Sequence, residues 1–319
     1  MSKVWAMDVA EGAVEDAAED VVEAAVRRWR AIDPLVSAAE LPVEGRIVVD
    51  DGAAVFGRDQ PKPGTTDSLW GALDQLRLRA RVAGPDPAGS LTELIARWRD
   101  RLAALPEPPG PDSAAVLSWP SRDTEITRVL LAHGFQPRTI TAVRPAGRPA
   151  VDVGGTGAVI RTATPDDVDA GTGLWREVNA YDGQTGSVVD RRDCDDAIRA
   201  AVAEAIGRDR VWIAELDGRP VGLAWVAIPP ESDWVAPMVA AAPVAYFAVM
   251  SVTATHRGAG TGAALAAHAH RHLDDTGITA TVLHHSLANP RSTPFWNRQG
   301  YRPLWTTWEI RPATAMLRR

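Results

Sequence analysis

Residues Val252–Ala263 read Val-Thr-Ala-Thr-His-Arg-Gly-Ala-Gly-Thr-Gly-Ala, with glycine at positions 258, 260 and 262. Glycines at alternate positions let successive backbone N–H groups converge on one point, because no side chain blocks the approach. A helix beginning there adds the positive end of its dipole, so a diphosphate can sit at its N-terminus. Arg257 adds a charge-assisted contact to the same anion. A tight strand-to-helix turn explains the same glycines. A dinucleotide loop does not: the spacing is not G-x-G-x-x-G, and no acidic residue ends a second strand about 20 residues on. Anion binding and a structural turn both remain open from spacing alone.

Other residues of chemical interest lie downstream and upstream. His284 and His285 end a strand; adjacent strand residues face opposite sides, so at most one of them points into a cleft. An imidazole there has a pKa suited to acid–base work, although one packed and one solvated ring explains the pair at least as well. His268, His270 and His272 lie on the helix after the glycine loop, with 268 and 272 on one side and 270 on another. Two ligands without a third make a poor metal site, so no metal is expected. Cys194 is the single cysteine and has no disulfide partner. Tyr246 opens an apolar strand, a core position that also allows a hydrogen bond to a substrate.

These groups need elements to hold them. Thr164-Pro165-Asp166-Asp167 is a helix start, with a hydroxyl N-cap, proline at the first helical position and acids in the first turn. The pattern predicts strand Ala158–Thr162, a helix to about Asn179, a helix near Asp193–Ile206, and strands Arg210–Glu215 and Pro220–Ala227 around the Asp217-Gly218 turn. Strand Tyr246–Val252, a helix to about Asp274, strand Thr279–His284, a short helix around Pro290–Gln299 and strand Pro303–Ile310 follow. The Pro- and Gly-rich stretch Arg144–Gly157 reads as a linker between two domains. In the first half, Arg46–Phe56 reads as a hairpin turning at Asp51-Gly52, and Leu76–Val82 as a strand. Ala114–Phe135 resembles Thr279–Tyr301 in its order of strand, polar turn, short helix and Gly-aromatic; the two align with Leu130-Leu131 on Phe295-Trp296 and Gly134-Phe135 on Gly300-Tyr301. Self-similarity of this length points to a duplication.

The chain has 319 residues, enough for two cores, with 45% hydrophobic and 24% charged residues. Its formal net charge of −7 argues against a nucleic-acid partner and against an anionic membrane surface. Residues 1–30 are acidic and helical in pattern, unlike a signal peptide, and no apolar run approaches the roughly 20 residues of a membrane span. A cytoplasmic protein, monomeric or homodimeric, is the resulting expectation.

The segment Arg257-Gly258-Ala259-Gly260-Thr261-Gly262 resembles the Arg/Gln-x-x-Gly-x-Gly/Ala signature of the Gcn5-related N-acetyltransferase (GNAT) family. Asn289…Phe295-Trp296…Gly300-Tyr301 is similar to that family's Asn…Phe-Tyr…Gly-Phe, and the element order over Ala158–Ile310 agrees. The resemblance implies an α/β fold with mixed central sheets flanked by helices, in two tandem domains. These are a degenerate one at residues 1–145, a linker at 146–157, and an acetyl-CoA-binding one at 158–319. It implies acetyl-CoA as co-substrate. The pantetheine arm would add to the backbone of Met250, Ser251 and Val252, the diphosphate would lie on Arg257, Gly258, Ala259, Gly260, Thr261 and Gly262, and Asn289 would contact the arm. The family's acceptor pocket corresponds to the place of Glu177, Tyr181 and Asp182, with Trp175 and Trp234 as further wall candidates. Trp296 stands where the family has the tyrosine that protonates the departing thiolate. An indole N–H donates a hydrogen bond but does not release a proton, so Trp296 reads as packing against the cofactor. His284, His285 and Ser292 are left as candidate catalytic groups, with Ser286 nearby.

In the first half, Ala83–Ser90 carries Pro85, Asp86 and Pro87 where the loop would be; the prolines remove donors and the aspartate repels phosphate. One acetyl-CoA site per chain follows. The expected activity is N-acetyl transfer to a small-molecule amine. A non-catalytic acyl-CoA-binding module and O-acetyl transfer are the alternatives.

Overall fold

The structure is a computed structural model that describes residues 18–149, 151, 154–208 and 210–318. Residues 1–17 of the acidic N-terminal stretch, and Ala150, Asp152 and Val153 of the expected linker, lie outside the described residues. Among the described residues, no helix is long and apolar enough to cross a membrane.

Two compact units form, and neither is contiguous in sequence. The first comprises Met1–Gln60, Asp74–Pro137 and Thr306–Arg319; the second comprises Pro61–Leu73 and Arg138–Trp305. The sequence places the boundary at residues 146–157, whereas compactness follows strand pairing.

In the first unit, β1 (Arg46–Val49), β2 (Gly52–Asp59) and β3 (Asp74–Val82) form an antiparallel meander, and β3 pairs parallel with β4 (Ser113–Pro120). The β1–β2 turn falls at Asp51, whose φ of 53° is the left-handed conformation a tight hairpin requires. Helix α1 spans 18–32. Helix α2 (Pro87–Ala103) buries Leu91, Leu94, Ile95, Trp98 and Leu102, one apolar stripe at helical spacing. Helix α3 (Thr124–Ala132) follows β4.

The second unit is a sheet between helices. Strand β5 (Gln136–Pro145) begins in the first unit at Gln136–Pro137 and crosses into the second from Arg138 onward. The other strands are β6 (Val159–Thr162), β7 (Val211–Leu216), β8 (Arg219–Ala227), β9 (Val244–Val252) and β10 (Ala280–Ser286); β11 (Arg302–Ile310) belongs to this unit as far as Trp305 and to the first unit from Thr306. The order β5-β10-β9-β8-β7-β6 is antiparallel throughout except for the parallel β9–β10 pair. One face packs on α6 (Thr261–Asp275) and α7 (Ser292–Arg298), through Leu265, Ala269, Leu273 and Trp296 against Ala245, Phe247 and Leu283. The other packs on α4 (Val168–Gly183) and α5 (Asp195–Ile206), through Leu174, Trp175, Ile198 and Val202 against Ile213, Leu223 and Val249. Leu69 joins this second core although it belongs to the first half of the sequence. Cys194 is buried there, its Sγ 3.2 Å from the Ser68 hydroxyl, a packing role.

Element by element, β9-α6-β10-α7-β11 repeats β3-α2-β4-α3-β5. The repeat is closest at the ends of α3 and α7. Gly134 and Gly300 have φ of 84° and 86°. Phe135 N donates to Leu130 O at 2.9 Å, as Tyr301 N does to Trp296 O at 3.0 Å. These bonds correct the sequence alignment by one position: Leu130, buried, corresponds to Trp296, and the exposed Leu131 to Asn297. The αL glycine fixes where each helix stops, so counting back from it sets the register.

The predicted helix start is also found, as a 3₁₀ turn over Pro165–Asp167 that runs into α4 at Val168. The Asp167 carboxylate accepts from Thr164 N (2.8 Å) and Thr164 Oγ1 (3.0 Å), and from Arg161 Nη1 and Nη2 at 2.8 and 2.9 Å. These hydrogen bonds, Arg161 foremost, hold the Asp167 carboxyl down to about 2. An unfolded aspartate titrates near about 3.9, so the folded state binds this proton less readily. Its stabilisation is present above pH ~4 and is lost as pH falls through about 2. Asp167→Asn should flatten the acid limb of thermal stability between pH ~5 and 2; an unchanged limb in a melting series would exclude this linkage. Leu265, fully buried on α6 with Gly222 of β8 beneath it, should cost about 2–5 kcal/mol on truncation to Ala, read from denaturant midpoints.

Candidate active site

The site begins with a strand ladder that stops. β9 and β10 pair only at Ala280↔Val244, Thr281↔Ala245 and Val282↔Tyr246. Beyond Tyr246, β9 continues to Val252 and pairs only with β8. That register shifts between Trp225 and Val226, leaving Ala248 of β9 as an extra, unpaired residue. Such a bulge bends and twists its strand. The result is a parallel pair that parts after three rungs, with a strand edge whose backbone groups call for partners. Met250, Ser251 and Val252 lie along that edge, at the end next to the glycine loop. The Ser251 side chain is buried, so this residue offers its backbone.

The loop follows directly. Gly258 and Gly260 both have φ of 85°, which a residue with a side chain rarely adopts. Helix α6 starts at Thr261, and no side chain caps its N-terminus among the described residues. Its first N–H groups are therefore available to an anion. Gly262 has an ordinary helical φ. A Cβ there would stand 3.5–3.7 Å from Val252, Phe295 and Met250, so its lack of a side chain leaves open surface beside the strand edge.

Arg257 has a second task that its sequence did not reveal. Its Nε donates to Val252 O at 2.7 Å and its Nη2 to Glu177 Oε1 at 3.1 Å, while the same Glu177 oxygen accepts from Ala254 N at 2.6 Å. Glu177 of α4, read from sequence as an acceptor-pocket acid, is thus engaged in holding the loop. Tyr181, one helical turn on, lies under two guanidiniums: Arg257 and Arg291 each place Cζ 5.3 Å from its ring centroid. Arg291 belongs to no motif that marks it in the sequence. It reaches the loop because Asn289 turns the chain there.

Asn289 is buried and occupied. Its Oδ1 accepts from Arg291 N and Ser292 N at 2.9 and 3.2 Å, capping the start of α7, and its Nδ2 donates to Asp182 Oδ1 at 2.6 Å. Burial raises the Asp182 carboxyl, with the Asn289 bond opposing it. Asp182 therefore ties α4 to α7. Ser292 sits half-buried at the head of α7, and Thr185 donates to Ser286 Oγ at 2.7 Å.

The two histidines of β10 divide as alternation requires. His285 is buried, its Nδ1 3.1 Å from Ser286 O. His284 is half-buried on the opposite face, with Nδ1 3.2 Å from Tyr246 Oη. The exposed Trp234 lies nearly parallel to the His284 ring, at 13° and 5.9 Å, and edge-on to Tyr246 at 4.7 Å. Burial and neighbouring His285 push His284 down to about 4, and burial pushes the Tyr246 phenol up. Both are neutral at physiological pH. Trp175, the other wall candidate, is buried against Trp225.

Trp296 is buried, its ring centroid 5.2, 4.9 and 5.1 Å from those of Phe247, Phe295 and Tyr301. It is a core residue facing α6. His268 and His272 flank Trp212, and His270 is buried with Nε2 3.0 Å from Tyr301 Oη. Among the described residues, no group of three or more His, Cys, Asp or Glu side chains could hold a metal ion.

In the first unit the equivalent helix start is already capped. Asp86 Oδ1 accepts from Gly89 N at 2.8 Å, so the protein's own carboxylate stands where a phosphate would.

Comparison with known proteins agrees with this architecture. The sequence profile of the acetyltransferase (GNAT) family matches residues 177–301, a span that takes in the strand edge, the loop and Asn289. A curated relative, the mycothiol acetyltransferase of Frankia casuarinae, is 30% identical over 258 residues, covering 76% of this chain and 71% of its own. Among solved structures, a GCN5-related N-acetyltransferase from Sphaerobacter thermophilus superposes with a TM-score of 0.53 at 16% identity, covering 82% of this chain and 78% of that one. An acetyltransferase of the GNAT family from Colwellia psychrerythraea gives 0.52 at 11% identity, covering 89% and 94%. This protein belongs to the GNAT acetyltransferase family and takes acetyl-CoA as its acyl donor.

Proposed function

We propose that the second unit is an N-acetyltransferase that moves the acetyl group of acetyl-CoA directly to the amine of a small molecule, with one donor site per chain. The observation that carries this reading is the truncated β9–β10 ladder running into an uncapped helix N-terminus. An extended amide-bearing arm satisfies the free edge of β9 as another strand would. Its diphosphate then falls on Gly258–Gly262, with Arg257 and Arg291 adding positive charge. The residues present fit the donor on chemical grounds: edge amides for amides, helix amides and guanidiniums for phosphate. Bound acetyl-CoA supplies the activated thioester, and the chain's part is to align it and to manage one proton.

The acceptor side is formed by Tyr246, His284 and Trp234, neutral groups that suit an uncharged amine. A small-molecule acceptor accords with the relative named a mycothiol acetyltransferase. A second reading, acyl-CoA binding without turnover, draws support from the burial of Trp296 in the core, which leaves the usual acid position without a proton to give.

Calorimetry should find one acetyl-CoA per chain. Arg257→Glu should weaken it about tenfold or more, since the loss of a charge-assisted contact is worth about 1.5–3 kcal/mol; unchanged affinity would place the diphosphate elsewhere. Thiol release against aliphatic, amino-sugar, amino-acid-amide and aromatic primary amines separates transfer from binding alone. Tight binding with no release for any amine would establish the second reading.

A further inference from the structure

Acetyl transfer to an amine leaves one proton on nitrogen in excess and one thiolate short of a proton. The chain has three tyrosines. Tyr301 is buried with its hydroxyl on His270. Tyr181 lies under Arg257 and Arg291 on the loop side. Tyr246 alone stands at the mouth of the cleft: it forms the last rung, Val282↔Tyr246, before β9 and β10 part. His284 is two residues beyond Val282 on the same face, and its Nδ1 meets Tyr246 Oη at 3.2 Å.

The pair is held in place. Trp234 covers both rings, and its segment is anchored by Ser232 Oγ donating to Val244 O at 2.7 Å and Trp305 Nε1 donating to Met238 O at 2.8 Å. An exposed indole fixed over a polar pair limits the access of bulk water to it.

We propose that His284 and Tyr246 are the proton-handling pair of the transfer, doing together what a single tyrosine at position 296 would do. This rests on the acetyltransferase reading above. The acceptor, bound as the free amine, bonds through its nitrogen to the thioester carbonyl carbon, and its surplus proton passes to His284 Nε2. The C–S bond breaks with its electron pair going to sulfur. Tyr246 gives its hydroxyl proton to that thiolate and is refilled from His284 Nδ1–H. The net change is one proton moved from nitrogen to sulfur; His284 is left as the Nε2–H tautomer and resets by exchange with water. A weakly basic imidazole suits this role, because it passes the proton on rather than keeping it.

The test uses the full chain with ¹⁵N-labelled histidine and the fastest amine of the panel above. His284 should show a neutral ring with a hydrogen-bonded Nδ1, and Tyr246→Phe should abolish that signature without touching His270. Tyr246→Phe and His284→Gln should each lower kcat about 100-fold, with acetyl-CoA affinity unchanged by calorimetry. The double variant should fall no further than the worse single one, as groups acting in one unit do. A His284 signal indifferent to Tyr246→Phe, kcat within about threefold of the parent, or multiplicative losses would overturn the pair while leaving the acetyltransferase reading intact. Failure of the parent to bind acetyl-CoA, or to release thiol with any amine, would overturn both.

Discussion

The functional half of this protein depends on a parallel strand pair that is allowed to form only three rungs. A continuous β9–β10 ladder would satisfy its own backbone and leave nothing for a ligand. Because the ladder stops at Tyr246 and β9 bulges at Ala248, β9 keeps an edge whose amides need partners. The rest of the site is arranged along that edge. The glycine loop and α6 lie at one end, and Tyr246, His284 and Trp234 lie at the other.

Charge is distributed along the same line. Arg257 is fixed to the loop by Val252 O and Glu177, so its position costs little further ordering when an anion arrives. Glu177 takes up part of that charge, and Arg291 brings a second guanidinium over Tyr181. At the opposite end the rings of His284 and Tyr246 are neutral. Trp296, by contrast, is packed in the core among Phe247, Phe295 and Tyr301.

Duplication explains the architecture better than it explains the site. Both halves repeat strand, helix, strand, short helix and strand, down to matching αL glycines and hydrogen bonds at the ends of α3 and α7. Yet β5, the last strand of the first repeat, pairs with β10 and completes the second unit's sheet. The equivalent loop of the first repeat spends its helix N-terminus on Asp86. The copies thus share a fold while differing in what the first helix turn is free to bind.

The glycine loop, the helix start at Thr164–Asp167, the strands of the second half and the division of His268 and His272 from His270 were all legible from sequence. Each is a local matter, of φ preference, capping chemistry or periodicity within one element. The opposite facing of His284 and His285 followed from strand alternation too. What the sequence could not decide was partnership across elements. The engagement of Glu177 with Arg257, the arrival of Arg291 over Tyr181 and the bond from Asn289 to Asp182 depend on where α4 and α7 meet the loop. The meeting of Tyr246 with His284 depends on the β9–β10 register, which is set by packing on both faces of the sheet. Local chemistry named the loop; only the tertiary pairing of strands determined which side chains share the cleft that it opens.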